Sequence, residues 1–136
     1  MKVFLDTNVL VSAFAARGLC ADLMRLLLAE HEVCTGEANL IELRRVLAER
    51  LGASPEAIAQ VERLLRAQCI APMPTDLLPI DVRDPDDVWV LATAAESGAA
   101  LLVTGDQALL VPGARAPVPV VTPREAWVRL RGALSR

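Results

Sequence analysis

Apolar residues follow two rhythms along this chain. Short, nearly unbroken apolar runs predict buried strands at Lys2 to Leu5, Glu32 to Cys34, Cys69 to Ala71 and Ala100 to Val103. Between them the apolar residues return every three or four positions, which predicts helices with one buried face. Leu23, Leu26 and Leu27 mark such a helix over Ala21 to Glu30. Leu40, Leu43, Leu47 and Leu51 mark another over Ala38 to Leu51, closed by Gly52. Ser54 is a suitable N-cap, Pro55 suits the first helical position, and Glu56 complements the positive helix end. Ile58, Val61 and Leu65 give that helix its apolar face. After a loop broken by Pro72, Pro74 and Pro79, Asp84-Pro85-Asp86-Asp87 opens a helix running to about Ser97, with Gly98 as its stop. Val118 to Val121 reads as a strand interrupted by Pro119, so it belongs at a sheet edge. Thr122 and Glu125 stand at capping-box spacing and open the last helix.

Strands thus alternate with helices, which predicts a single α/β domain over residues 1–136 with a parallel sheet covered on both faces. In such sheets ligands bind beyond the carboxyl ends of the strands, where strand order reverses.

Composition narrows the picture. Apolar residues make up 54% of the chain, enough for a core without disulfides and a surplus that suggests helix faces buried against a partner. The most apolar stretch, Val88 to Val103, is interrupted by Thr93, Glu96, Ser97 and Gly98, which is not a membrane span. Only Val3, Phe4 and Leu5 separate Lys2 from Asp6, too few for a secretory signal. Cys20, Cys34 and Cys69 are odd in number and lack C-x-x-C spacing, which predicts small core residues in a reducing cytoplasm. His31, the only histidine, is read as a solvated helix-end residue. A net charge of −3 argues mildly against a nucleic-acid ligand. Clustered acids that hold a divalent metal can still meet a phosphate.

The acids carry the chemistry. Asp6 ends the first strand, and Asp106 follows the strand Leu101-Leu102-Val103 after Thr104 and Gly105. Asp87 lies in the first turn of a helix that starts at the same sheet edge, and Glu42 lies on the helix after the second strand. Carboxylates from separate segments repel one another unless a cation joins them. Hard oxygen donors suit Mg²⁺ or Mn²⁺, and such ions support phosphodiester cleavage by an activated water. Several acids have simpler readings. Asp84 is an N-cap or an additional metal contact, Asp86 complements the helix dipole, and Asp81 is a solvated loop acid. Glu42 shares a face with Arg45 and Glu49 and could belong to a surface ion-pair row. Glu37 competes with Glu42 for the helix carboxylate.

These motifs resemble a known family. Val3-Phe4-Leu5-Asp6-Thr7-Asn8-Val9-Leu10 resembles the opening of PIN domains, and Glu42 in Leu40-Ile41-Glu42-Leu43 resembles their second acid. Arg83-Asp84-Pro85-Asp86-Asp87 with Leu91-Ala92-Thr93-Ala94 resembles the third motif, with Asp87 as its metal-binding acid. Leu101 to Asp106 resembles the fourth. Within the family the chain resembles toxin components related to VapC. The resemblance implies a Rossmann-like three-layer α/β/α fold with a mainly parallel sheet. It implies a Mg²⁺- or Mn²⁺-dependent ribonuclease held together by Asp6, Glu42, Asp87 and Asp106, with Asn8 and Thr104 supporting the site. It also implies an RNA substrate and an antitoxin partner, while the apolar surplus suggests a homodimer or an antitoxin contact. One departure is local: an acid and a basic residue are expected where Val88 and Trp89 stand.

Two other readings compete. A Mg²⁺-dependent phosphatase would use a strand-end aspartate as nucleophile, but the acid it needs two residues later is Asn8, and Lys2 is the only lysine. A non-catalytic RNA- or protein-binding module on the same fold would not need the acids at all.

Overall fold

The computed structural model describes residues 1–74, 85–110 and 117–134, excluding the side chains of 85–87 and 132–134. Asp81 and Asp84 lie outside the described residues, as does the side chain of Asp87.

The chain runs β1 (Lys2–Leu5), α1 (Thr7–Ala15), α2 (Leu19–Glu30), β2 (Glu32–Gly36), α3 (Glu37–Glu49), α4 (Pro55–Arg66) and β3 (Cys69–Ala71). It continues as α5 (Pro85–Glu96), β4 (Leu101–Val103), α6 (Gln107–Leu110), β5 (Val120–Val121) and α7 (Pro123–Leu134). The strands form one sheet in the order β3-β2-β1-β4-β5, and every pairing is parallel. β5, with Pro119 at its start, lies at the edge as its sequence requires.

Period-two alternation distributes the strand side chains to two cores. Val3 and Leu5 of β1, Val33 of β2 and Leu101 and Val103 of β4 pack with residues of α1, α2, α3 and α7. Phe4, Cys34 and Leu102 point to the other face, against Leu91 and Ala94 of α5 and Leu109 of α6. A parallel sheet buried on both faces explains why its strands read as continuous apolar runs.

The capping signals act as read. Ser54 Oγ accepts from the Ala57 N–H, and Thr122 Oγ1 accepts from the Glu125 N–H, each at 3.1 Å. Two helices had no sequence expectation. α1 is short and has only Thr7, Asn8 and Ser12 as polar residues, and α6 is a single turn.

His31 is a correction. It does cap the end of α2, its N–H donating to the Leu27 carbonyl, but its ring nitrogens are not solvated. Both ring nitrogens are buried and have no hydrogen-bond partner among the described residues. The cysteines pack in or against the cores, and Cys34 and Cys69 stand opposite each other on β2 and β3 with sulfurs 3.0 Å apart. Burial, helped by the adjacent Cys69, pushes the Cys34 thiol up to about 12, which keeps it protonated and unreactive.

Candidate active site

The strand order reverses at β1. The chain first adds β2 and β3 on one side of it, then returns to place β4 and β5 on the other. The crevice of a parallel sheet opens at that reversal, between the carboxyl ends of β1 and β4. Asp6 follows β1 there, and Thr104, Gly105 and Asp106 follow β4.

Asp6 is 6% exposed and sits in a cage of donors. Its Oδ1 accepts from the Thr7 N–H at 2.8 Å and from Asn39 Nδ2 at 3.3 Å. Its Oδ2 accepts from the Thr104 hydroxyl at 2.8 Å and from Asn8 Nδ2 at 3.2 Å. The donors come from the start of α1, from α3 and from the end of β4, so the carboxylate ties three parts of the fold together. The same residue caps α1, which is why the strand stops where it does. Burial raises the Asp6 carboxyl above its ordinary value. The hydrogen bonds from Thr104, Thr7 and Asn8 pull it down, and the charge of Asp106 pushes it up further.

Thr104 is fully buried and links the two strand ends. Its hydroxyl donates to Asp6 and accepts from the Asp106 N–H at 3.0 Å and from Asn8 Nδ2 at 3.3 Å. Asn8 closes the loop, because its Oδ1 accepts from the Gly105 N–H at 2.9 Å. Asp106 Oδ1 caps α6 through the Ala108 N–H at 2.9 Å.

An open cleft of about 440 Å³ lies over this network and is lined by Asp6, Asn8, Glu42 and Asp106 together with Val46, Arg50 and Val90. Glu42 therefore faces the cleft, while Arg45 pairs with Glu49 at 3.6 Å farther along α3. Glu37 is held elsewhere. Arg66 of α4 grips both its oxygens, at 2.8 and 3.1 Å, and this ion pair holds its carboxyl below the usual range. Asp87 is in the first turn of α5, the helix that brings Val90 to the cleft wall. Among the described residues no three acids, cysteines or histidines are grouped closely enough to cage a metal.

Asn39 and Arg50 had no sequence expectation. The signal was present: Asn39, Glu42, Val46 and Arg50 recur at helical spacing on one face of α3 and its cap. Gly36 makes room for Asn39. A Cβ added there would lie 2.8 Å from Asn39 Oδ1 and 2.9 Å from Thr93 Cγ2. Gly36→Ala is therefore expected to push Asn39 off Asp6 and to cost about 1–3 kcal/mol, as overpacking does. A thermal melt coincident with that of the parent protein would show that the fit at Gly36 has slack.

A PIN domain family model matches residues 2–108, a span that includes Asp6, Glu42, Asp87 and Asp106. No curated protein gives a significant match. Among solved structures, the chain is similar to one in VapBC2 from Rickettsia felis bound to a DNA fragment from their promoter. That similarity has a TM-score of 0.62 and 16% identity, covering 90% of this chain and 98% of the other. It is also similar to a PilT N-terminus domain protein from Sulfolobus solfataricus P2, with a TM-score of 0.54 and 13% identity, covering 96% of this chain and 93% of the other.

Proposed function

The chain belongs to the PIN-domain family, and from that premise we propose that it is a divalent-metal-dependent ribonuclease and the toxin of a toxin–antitoxin pair acting in the cytoplasm. The observation that carries this reading is the cleft at the β1/β4 reversal, where Asp6, Asp106 and Glu42 line one cavity.

The donors fit Mg²⁺ or Mn²⁺. They are carboxylate oxygens, the hard ligands these ions prefer. Asp6 and Asp106 repel each other, a cost that a cation would relieve. Asp6, Asp106, Glu42 and Asp87 are the residues proposed to hold the ion, with Asp84 as an additional candidate. Bound there, it would supply the positive charge that acidifies a water and neutralises a phosphoryl oxygen.

The chain's own groups do the rest. Thr104 and Asn8 fix the Asp6 carboxylate in orientation, and the α6 cap fixes Asp106. Arg50 places a cation on the cleft wall, suited to a backbone phosphate. The phosphatase reading is disfavoured because Asn8, at its acid position, is bonded to Asp6, Thr104 and Gly105.

The toxin role is supported by the likeness to a chain of the VapBC2 complex, which also suggests an antitoxin partner. The apolar surplus suggests a homodimer as well. No helix among the described residues is long and apolar enough to cross a membrane.

The test is cleavage of a mixed RNA pool. Activity is expected with Mg²⁺ or Mn²⁺, leaving 5′-phosphate and 3′-hydroxyl ends, and none is expected in excess chelator. Unchanged cleavage in chelator, or 2′,3′-cyclic phosphate ends, would overturn the metal mechanism. In the same assay Glu42→Gln should lose most activity and Glu37→Gln should keep it. The reverse result would move the helix carboxylate to Glu37.

A further inference from the structure

Aromatic residues are scarce in this chain, with two tryptophans, two phenylalanines and no tyrosine. Phe4 lies in one core, and Phe14 and Trp127 pack against the other. Trp89 belongs to neither core. It is half-buried on α5, where it lines a second cavity of about 310 Å³ with Met73, Val90, Thr93, Asn39 and Glu42. Glu42 and Val90 also line the carboxylate cleft, so the two cavities share a wall.

We infer that this second cavity is a nucleobase subsite, in which an unpaired base of the strand bound in the cleft stacks on Trp89. The inference rests on the ribonuclease reading for the identity of that strand. The volume lies at the lower end of the range of about 300–1,000 Å³ typical of ligand pockets. An indole beside a thioether offers a flat, polarisable surface for a base of any sequence. The polar lining faces a base with acceptors. The amide nitrogen of Asn39 is donated to Asp6 and Thr7, at 3.3 and 2.9 Å, so this residue offers a base no free donor. Glu42 adds carboxylate oxygens. A backbone phosphate has no place among them, so the cleft takes the backbone and the side cavity takes the base. A strand crossing from one to the other passes Glu42, one of the two residues the cavities share.

The experiment uses the full chain carrying Trp127→Phe, so that Trp89 is the only indole. In chelator, AMP, CMP, GMP and UMP are titrated against its fluorescence, with ribose 5-phosphate as the control. Quenching by the nucleotides and none by ribose 5-phosphate is expected. Equal responses to both, or none to either, would overturn the subsite. Cleavage of a single-stranded RNA then reads its role. Trp89→Ala should raise KM between about fivefold and 150-fold, the range of one base–aromatic stack, with kcat changed much less. Trp89→Phe, which keeps a stacking ring and guards against misfolding of the alanine variant, should recover most of the loss. An unchanged KM in Trp89→Ala, from a parent protein that cuts RNA, would reject the subsite and leave the nuclease standing. A parent protein that cuts no RNA with Mn²⁺ would reject the nuclease, and the nucleotide titration would still decide whether the cavity takes a base.

Discussion

Replacing Asp6 with asparagine is expected to lower metal-supported RNA cleavage by on the order of 1,000-fold while the protein stays folded. Loss of a metal-holding charge at the reacting centre costs several kcal/mol of transition-state stabilisation, and each 1.4 kcal/mol is tenfold in rate. The amide sets a donor against two of the donors that the carboxylate accepts from, a cost of about 1–3 kcal/mol. Removal of a buried charge offsets this cost once the carboxyl is ionised. Burial, with Asp106 nearby, raises its pKa from the ordinary 3.8. The folded chain therefore holds this proton more tightly than the unfolded chain does. The resulting stability is complete below 3.8 and is lost as pH rises through the higher folded value. The metal-free parent protein should accordingly lose stability across that window by an amount that Asp6→Asn does not lose. Metal should reverse the comparison at neutral pH. An ion at a hundred times its Kd adds about 2.7 kcal/mol to the protein that binds it. Melts of both proteins, across pH in chelator and at pH 7 with Mn²⁺, read all of this. Parallel pH curves together with equal gains from Mn²⁺ would remove Asp6 from the proposed site.

Thr104→Val should destabilise the fold strongly while leaving every acid in place. It keeps the shape of the side chain and deletes one hydroxyl. That hydroxyl is fully buried, donates to Asp6 Oδ2 at 2.8 Å and accepts from the Asp106 N–H at 3.0 Å. Removing it takes a donor from a buried carboxylate and the acceptor from a backbone N–H. An unsatisfied buried partner costs about 1–3 kcal/mol, more when charged. A loss of roughly 3 kcal/mol corresponds to about 10 °C in Tm for a domain of this size. The Asp6 carboxyl, without its strongest lowering hydrogen bond, should move further up, so the variant should need higher pH for activity as well. Thr104→Ser, which keeps the hydroxyl, should restore most of both properties. If serine and valine behave alike, the methyl packing of Thr104 matters and its hydroxyl does not.

The strand ends were the most legible part of the site. Asp6 stops an apolar run with no gradual transition, and Thr104-Gly105-Asp106 does the same after β4. Both are cases where a local rule of burial is broken, and such breaks concentrate at functional sites. The caps at Ser54 and Thr122 were legible for a related reason, since each is decided within four residues. What remained hidden depends on tertiary neighbours. Glu37 and Glu42 look alike along α3, and only the approach of Arg66 from α4 separates their surroundings. Asn39 reads as an ordinary first-turn polar residue until the sheet brings Asp6 beneath it. His31 has a helix-end sequence context, yet its ring nitrogens are buried by neighbours that the local sequence does not reveal. The pairing of Cys34 with Cys69 is a matter of strand register, to which spacing is blind. Asp84 and Asp81 remain expectations from the sequence, outside the described residues.

The hydrogen bonds that finish the Asp6 cage join residues 97 and 98 positions apart, Asn8 to Gly105 and Asp6 to Thr104. Their separation has a meaning in time as well as in space. A ribosome adding about 5–20 residues per second makes β1 and then takes roughly 5–20 s to reach the residues after β4. Throughout that interval β1 can pair with β2 on one side only, and its other edge waits for a strand not yet made. A partly synthesised chain therefore carries Asp6 without Thr104 or Asp106, and a product truncated before Leu101 is expected to be inert. If the protein does cut RNA, its activity begins only after most of the chain has left the machinery that reads RNA.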